Sequence, residues 1–148
     1  MEDQALAIRS LFIGSIDNLK IAMKKAMVEK NLSGSPLLFF VLDHIQNTPN
    51  CTAQDVSQKM HRDKGQITRI IKELITKGLI TKQLNQNDKR SHFIFLTEQG
   101  QAYYQTLKNA DNEAIALMKA SISQEELDTF LRVGQRMLQN IQSHINEP

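Results

Sequence analysis

The sequence is poor in the features that mark disulfide-linked, secreted or membrane proteins. Its 148 residues include one cysteine, which excludes an internal disulfide framework. The first ten residues, MEDQALAIRS, are acidic and polar, whereas a secretory signal is basic and then apolar. No apolar run approaches the roughly 20 residues that span a bilayer. We therefore expect a soluble, cytoplasmic protein without a membrane partner and, from its length, one compact domain over residues 1–148.

Motifs of catalysis and of metal binding are missing as well. The sequence has no GxSxG, P-loop, HExxH or CxxC pattern. The four histidines, at positions 44, 61, 92 and 144, are scattered, and with a single cysteine they form no cluster of metal ligands. The sequence therefore predicts neither an enzyme nor a metal or cofactor site.

What the sequence does contain is an organised stretch over residues 51–97. In its first segment, CTAQDVSQKM, Thr52 is suited to be a helix N-cap. Asp55 follows three residues later, which gives an acidic variant of the capping box. Asp63 is suited to cap a second helix, KGQITRIIKELITKG. That helix ends at Gly78, the residue type favoured in the left-handed conformation after a helix. Two capped helices joined by a tight turn predict a helix-turn-helix.

Two β-type runs follow the second helix. LITKQL and HFIFLT are rich in Leu, Ile, Phe and Thr, and they flank the polar loop NQNDKRS, which predicts a β-hairpin. A helix-turn-helix followed by a hairpin is a winged helix-turn-helix, here over residues 36–97. The predicted fold class is mainly α with a small β-hairpin, with N- and C-terminal dimerisation helices at residues 1–30 and 98–146.

The second helix of the motif has two different faces. Its apolar positions recur at helical spacing and predict an inward face: Ile67, Ile70, Ile71 and Leu74. The opposite face suits a DNA major groove, because Arg can bind guanine and Gln can bind adenine through two hydrogen bonds, and because helix N-terminal amides favour phosphate. We predict contacts to double-stranded DNA from the motif and the tip of the wing: Thr52, Lys64, Gly65, Gln66, Thr68, Arg69, Lys72, Lys89 and Arg90.

The charge distribution agrees with DNA binding. The whole chain carries a formal charge of only +2. Residues 59–90 contain nine Lys or Arg and three Asp or Glu, a charge of +6, which leaves −4 on the remainder. Positive charge is therefore concentrated on the motif, as phosphate binding requires.

The segments outside the motif are helical and apolar on one side. Residues from about 3 to 30 predict one long helix, and PLLFFVLDHIQN, apolar on almost every side through Val41, predicts a buried one. The last helix opens with a capping box, Ser123 and Glu126. Its apolar positions follow a heptad-like spacing, typical of helices packed side by side: Leu127, Leu131, Gly134, Leu138, Ile141 and Ile145. Such helices outside a complete winged helix predict a homodimer.

At these residues the chain resembles the MarR family of transcription regulators, and within it the SlyA-like branch. The family's wing has an Asp-x-Arg element and a strand that closes on Leu-Thr, matched here by Asp88, Arg90, Leu96 and Thr97. The family's Thr-Arg pair between aliphatic residues is matched by Thr68 and Arg69 with their neighbours. Lys89 stands where the family usually has Pro. The resemblance covers nearly the whole chain and implies a single MarR-type domain.

The resemblance also implies how such a protein works. The terminal helices interdigitate as a homodimer and place two recognition helices on one face, which predicts a palindromic operator with half-sites one helical turn apart. Asp88 would support the neighbouring Arg side chain in the wing. A small-molecule effector, aromatic and often anionic, would bind between the dimerisation helices and the winged helix and release a repressor from DNA.

Two alternatives remain open. Cys51 lies at the start of a helix, where its pKa could be lowered, and this would suit a redox-sensing regulator. Alternatively, the winged helix could serve as a protein-interaction module, which predicts a neutral or apolar exposed face on the second helix.

Overall fold

A computed structural model describes residues 2–145. Within that range lie six helices and one hairpin, in the order α1 (Glu2–Glu29), α2 (Leu37–Asn47), α3 (Ala53–Met60), α4 (Lys64–Thr76), β1 (Ile80–Leu84), β2 (His92–Leu96), α5 (Glu98–Met118) and α6 (Gln124–Ile145). The two strands are antiparallel. The predicted fold class, mainly α with a small β-hairpin, is confirmed. Across the described range, no helix has the length and apolar character needed to cross a membrane.

The chain forms two compact units. The first ends at Ala114, inside α5, and the second begins at Ile115. The first unit holds α1 to α4, the hairpin and most of α5. The predicted single domain, with its winged core at residues 36–97 and dimerisation regions on both sides, stays a prediction.

The hydrophobic core lies in the first unit. Every helix from α1 to α5 and the hairpin contribute side chains that are at most 2% exposed, among them Met23, Met27, Val41, Leu42, Val56, Ile67, Ile71, Leu74, Ile94 and Leu107. The prediction that α2 is buried on almost every side is wrong at Phe40, which is 43% exposed. At about 100° per residue, Phe40 points away from the face that buries Leu38, Leu42 and Ile45.

The predicted helix caps are confirmed. Thr52 and Asp55 form a reciprocal capping box at the start of α3. Asp63 caps α4 through its side chain, and Gly78 has a φ of 70°, in the left-handed region, just after the C-cap of that helix. His61, at the C-cap of α3, is also left-handed, with a φ of 47°. These local interactions set the turn between α3 and α4, and thereby the direction in which α4 leaves it.

The hairpin is joined to the helices on both sides. Ile80 pairs with Leu96 at its base and Leu84 with His92 near its tip. Midway along β2, the Ile94 amide donates to the Cys51 carbonyl oxygen at 2.8 Å, which attaches the wing to the start of α3.

The first turn of α5 packs on the segment that leaves α4. The Thr97 hydroxyl donates to the Gly78 carbonyl oxygen at 2.6 Å and accepts the Gly100 amide at 3.0 Å. Gly100 lies so close to Leu79 that a Cβ at position 100 would be 1.8 Å from the Leu79 carbonyl oxygen. The exit from α4 is therefore fixed against α5 by a contact that only glycine permits.

Helix α6, in the second unit, has a different character. Its predicted capping box is present, with the Ser123 amide donating to Glu126 Oε2 at 2.8 Å and the Glu126 amide donating to Ser123 Oγ at 3.3 Å. None of the side chains of α6, a helix that lies wholly within the described residues, is buried. Six of its large apolar residues are 43% exposed or more, and two others, Leu127 and Met137, are partly buried. The exposed six are Phe130, Leu131, Val133, Leu138, Ile141 and Ile145.

Helix α1 changes along its length. Near its C-terminal end, Met23 and Met27 are at most 2% exposed and belong to the core. Leu6 and Ile13 in its N-terminal half, and Ile16 just past its midpoint, are each more than half exposed. Within the first unit, the buried side chains of α1 therefore lie only in its second half, on one face, because Ile21 and Val28 there remain exposed.

Candidate nucleic-acid interface

The N-terminal end of α4 is exposed and held by its cap. Asp63 Oδ1 accepts the amides of Gly65 at 2.8 Å and Gln66 at 3.2 Å. We expected the N-terminal amides of this helix to favour phosphate, and in the structure two of them are bonded to the cap carboxylate. Among the side chains at this end of α4, that of Lys64 is exposed and available to bind a phosphate.

The predicted division of α4 into two faces is present. Ile67, Ile71 and Leu74 are buried, and Ile70 is partly buried. The polar residues on the other side are all exposed: Gly65, Gln66, Thr68, Arg69 and Lys72. The structure thus brings five of the predicted DNA-contacting residues onto one accessible helical surface, which we call the α4 polar face.

Two of the side chains exposed on α4 are threonines whose hydroxyls bond within the helix. Thr68 Oγ1 donates to the Lys64 carbonyl oxygen at 2.8 Å, and Thr76 Oγ1 donates to the Lys72 carbonyl oxygen at 2.9 Å. Both bonds run back four residues, to the preceding turn. Their hydroxyl protons are therefore already used.

Arg69 is not held by the protein. Three ion pairs occur among residues 2–145: Lys20 with Asp17, Lys30 with Glu113, and Lys77 with Glu73. None of them includes Arg69, whose side chain is exposed. Because its guanidinium is exposed and in none of these ion pairs, its planar set of N–H donors is available to an acceptor on a ligand, as recognition of guanine requires.

Thr52 is placed at the start of α3 rather than on the α4 polar face. Its hydroxyl donates to Asp55 Oδ2 at 2.7 Å and accepts the Asp55 amide at 3.2 Å. The side chain is half-buried. Capping α3 is thus a role that the structure gives it, and its contact with DNA stays a prediction.

The tip of the wing is a chain of tight turns. Asn85 Oδ1 accepts the Asn87 amide and Asp88 Oδ1 accepts the Arg90 amide, both at 3.0 Å. Asp88 therefore contacts the backbone of Arg90, whereas the resemblance implied a contact with the Arg side chain. Lys89 and Arg90 are exposed at the tip. Asn85 has the same turn-forming role as Asp88, and its position at the start of a polar loop is the signal that could have identified it.

Charge on this part of the molecule is accessible. All nine basic side chains between positions 59 and 90 are exposed: Lys59, Arg62, Lys64, Arg69, Lys72, Lys77, Lys82, Lys89 and Arg90. Lys77 is partly neutralised by Glu73, 2.7 Å away. Exposed positive charge on the motif and the wing is available to bind a polyanion.

Cys51 does not match its predicted chemistry. The side chain is 0% exposed. Burial, and then the negative charge of Asp55, raises the pKa of Cys51 from its ordinary 9.0 to about 11. The expected lowering of the pKa by the helix N-terminus is therefore wrong, because the loss of hydration and the carboxylate both disfavour the thiolate.

Two tyrosines of α5 support the helices around the motif, and sequence reasoning missed both. Tyr103 donates to the Ser33 carbonyl oxygen at 2.7 Å. Tyr104 stacks on Phe39 and donates to Asp43 Oδ1 at 2.6 Å. Burial, followed by the hydrogen bond to Asp43, raises the pKa of Tyr104 to about 12, so it remains a donor at neutral pH. The signal that could have identified them was a pair of adjacent Tyr residues, because a buried Tyr hydroxyl usually has a hydrogen-bond partner.

Comparison with known proteins identifies relatives for this arrangement. The MarR family model matches residues 35–92, which include α2 to α4 and β1. The transcriptional regulator BilQ of Clostridioides difficile is 33% identical over 92 residues, which are 62% of this chain and 61% of BilQ. SarZ of Staphylococcus haemolyticus is 23% identical over 95% of this chain and 94% of its own length. The chain spans about three fifths of the length of the first curated relatives it matches.

Solved structures share the fold. An Escherichia coli MarR mutant in complex with operator DNA superposes with a TM-score of 0.79, covering 92% of this chain and 96% of that one at 18% sequence identity. At this identity the likeness concerns the fold alone. The matched 92% of this chain is more than the winged motif at residues 36–97 comprises.

Proposed function

We propose that this chain, whose residues 35–92 match the MarR family model, is a member of that family and a sequence-specific transcription regulator that binds double-stranded DNA in the cytoplasm as a homodimer. The observation that carries the proposal is the α4 polar face, where Gln66, Thr68 and Arg69 are exposed together. A helix with such residues near its N-terminal end fits the major groove and can read base edges there. The similarly folded E. coli MarR mutant binds operator DNA, and we extend that property to this chain.

The wing supplies the second contact. Its turns are closed by backbone hydrogen bonds to Asn85 and Asp88, so the tip presents Lys89 and Arg90 from a defined loop. Arg in a narrow minor groove is favoured by the strong negative potential of A·T-rich DNA. We assign Lys89 and Arg90 to the minor groove beside each half-site, with Asp88 supporting the loop.

A homodimer would explain the exposed apolar side chains outside the motif. On α6, Leu131 and Leu138 are each 56% exposed, and Leu6 and Ile13 of α1 are 63% and 56% exposed. Single exposed apolar residues are ordinary, but a heptad-like series of them favours burial against another helix. Two-fold symmetry then predicts a palindromic operator whose half-sites lie about one helical turn, or roughly 34–36 Å, apart.

The proposed regulation follows from the resemblance to the MarR family; the SlyA-like branch keeps activation by displacement of a nucleoid protein as the alternative. The protein would repress transcription and leave its operator when a small aromatic or anionic ligand binds between the terminal helices and the winged helix. Such a ligand can act only to the extent that it binds one spacing of the two recognition helices better than another. Burial of Cys51 argues against the thiol as the sensing group.

The proposal is tested by selecting bound duplexes from a random DNA library with the intact protein at near-physiological salt. We expect a palindrome with two half-sites one turn apart. Affinity for that duplex should fall steeply with salt, with a log–log slope of about −0.9 for each phosphate neutralised. A winged helix used for protein contact would give no enrichment, and A·T-rich DNA without a repeat would indicate an architectural protein instead.

The proposed regulation needs a separate test. The selected duplex provides the probe with which small aromatic acids are screened for release of the protein. Release that is accompanied by no change in the protein's affinity for random DNA would support a change in the spacing of the recognition helices. Equal loss on both kinds of DNA would instead indicate competition for the basic surface.

A further inference from the structure

The hydrogen bond of Thr68 limits what this side chain can offer to a ligand. A threonine hydroxyl has one proton to donate. In Thr68 that proton is directed to the Lys64 carbonyl oxygen at 2.8 Å, inside the helix. The other branch of the side chain is a methyl group, and the residue as a whole is exposed. Thr68 therefore presents an apolar group and no free donor to whatever approaches the α4 polar face.

Its position places that methyl beside the strongest base-reading candidate. Thr68 immediately precedes Arg69, in the second turn of α4, and both side chains are exposed. Thymine differs from the other bases in the major groove by its C5-methyl group, which accepts apolar contact and no hydrogen bond. A side chain whose donor is already used cannot discriminate bases by donating to N7, O6 or O4.

We propose that Thr68 is a specificity-determining residue that reads a thymine in each half-site through contact between the two methyl groups. This inference rests on the proposed function and adds to it the chemical group that is recognised. Arg69 and Gln66 would read neighbouring bases through hydrogen bonds, whereas Thr68 would read shape and apolar surface. The contact removes from water, on the two sides together, apolar surface equivalent to about one methyl group, which corresponds to roughly fourfold in affinity per half-site.

The test uses deoxyuridine, which lacks only the C5-methyl group of thymidine. In the selected duplex each thymine is replaced in turn by uracil, and the affinity of the full-length protein is measured at fixed salt. We expect one thymine in each half-site at which the replacement weakens binding by about fourfold. Thr68→Ser, which retains the hydroxyl and lacks the methyl, should bind the thymine and uracil duplexes equally. Thr68→Val, which retains a methyl and lacks the hydroxyl, should still prefer thymine.

Thr76 provides a matched control on the same helix. Its hydroxyl makes the same bond to the residue four positions earlier, at 2.9 Å, but it lies two turns further along, in the last turn of α4. Thr76→Ser should leave every ratio of thymine to uracil affinity unchanged. Circular dichroism of each variant verifies that α4 remains folded.

The outcomes separate this inference from the function on which it rests. If the wild-type protein selects a duplex but binds its uracil forms equally at every position, the thymine contact does not exist. The same conclusion holds if the preference persists in Thr68→Ser, or if it is lost in Thr68→Val, which would show that the hydroxyl oxygen is the reading group. If the wild-type protein selects no duplex at all, the proposed function fails first, and this inference fails with it.

Discussion

Helices α4 and α6 follow similar sequence patterns and have opposite surroundings. Both place aliphatic residues along one side at helical spacing. In α4 these residues, Ile67, Ile71 and Leu74, are at most 2% exposed, whereas Leu138 and Ile141 of α6 are 56% and 60% exposed. Periodicity therefore specifies an amphipathic helix and does not specify whether its partner lies in the same compact unit. For α4 the partner is the core of the first unit, and for α6 we propose a second copy of the chain.

The same substitution in both helices should separate the two environments most clearly. Leu74→Ala removes a fully buried side chain and should cost about 2–5 kcal/mol in free energy of unfolding at every protein concentration. Leu138→Ala should cost less than about 0.5 kcal/mol in dilute protein and more as the concentration rises, because only association would bury that side chain. Urea unfolding of both variants over a range of protein concentrations measures the difference. If both variants lost the same free energy of unfolding at every protein concentration, the two helices would not differ in their surroundings.

A charge on the exposed face of α6 should act on association rather than on folding. Leu138→Asp would bury an unpaired carboxylate in the proposed interface and should weaken the dimer by about 3 kcal/mol, or more than a hundredfold in dissociation constant. The control is Gln139→Asp, which adds the same charge at the neighbouring exposed position. Sedimentation equilibrium gives the dissociation constants. If both variants associate as the wild type does, this side of α6 is not the interface.

Substitutions on the polar side of α4 should weaken DNA binding, whereas substitutions on its buried side should lower the free energy of unfolding. Arg69→Ala should leave the unfolding free energy nearly unchanged and should cost about 1–3 kcal/mol in specific DNA binding, with relaxed sequence preference. Arg90→Ala, at the wing tip, should weaken specific and random DNA more uniformly and reduce the salt slope by about one phosphate. Affinities for the selected and for random duplexes, measured at several salt concentrations, distinguish the two. An equal loss on both duplexes for Arg69→Ala would remove its base-reading role.

The local features of the first unit could be predicted because short-range chemistry determines them. Asp63 and Gly78 mark the ends of α4 through groups that act within a few residues, and the buried side of α4 follows from helical spacing. The contact of Gly100 with Leu79 could not be predicted, because it joins residues that are distant along the chain and leaves no periodic signal. The exposure of Phe40 was missed for a related reason, since a run of apolar residues does not reveal which side remains uncovered.

The candidate site was predictable in its residues and less so in their bonds. Exposure of Gln66, Thr68 and Arg69 follows from the spacing of the buried residues between them. The Asp63 carboxylate, however, accepts the amides of Gly65 and Gln66, at the helix end that was expected to favour phosphate. Asp88 bonds to the Arg90 amide rather than to the guanidinium. Hydrogen bonds of this kind depend on side-chain rotamers, which composition and spacing do not determine.

Cys51 provides the smallest test of the contrast between buried and exposed positions. Its pKa is raised from 9.0 to about 11 in the folded protein, so the native state retains a proton that the unfolded chain releases. Above pH 9 the unfolded state therefore binds fewer protons, and stability falls as the pH rises toward 11. At pH 10 the loss from this group should be on the order of 1 kcal/mol.

The measurement is urea unfolding of the wild type and of Cys51→Ala between pH 8 and about pH 10. Tyr103 and Tyr104, whose pKa values are also raised, are present in both proteins and contribute equally to both. We expect the stability of the wild type to decline more steeply than that of the variant over this interval. Because only the slopes are compared, the cavity left by the substitution does not affect the result. Parallel slopes, or rapid alkylation of the native thiol at pH 8, would show that Cys51 is accessible and would reopen the redox-sensing alternative.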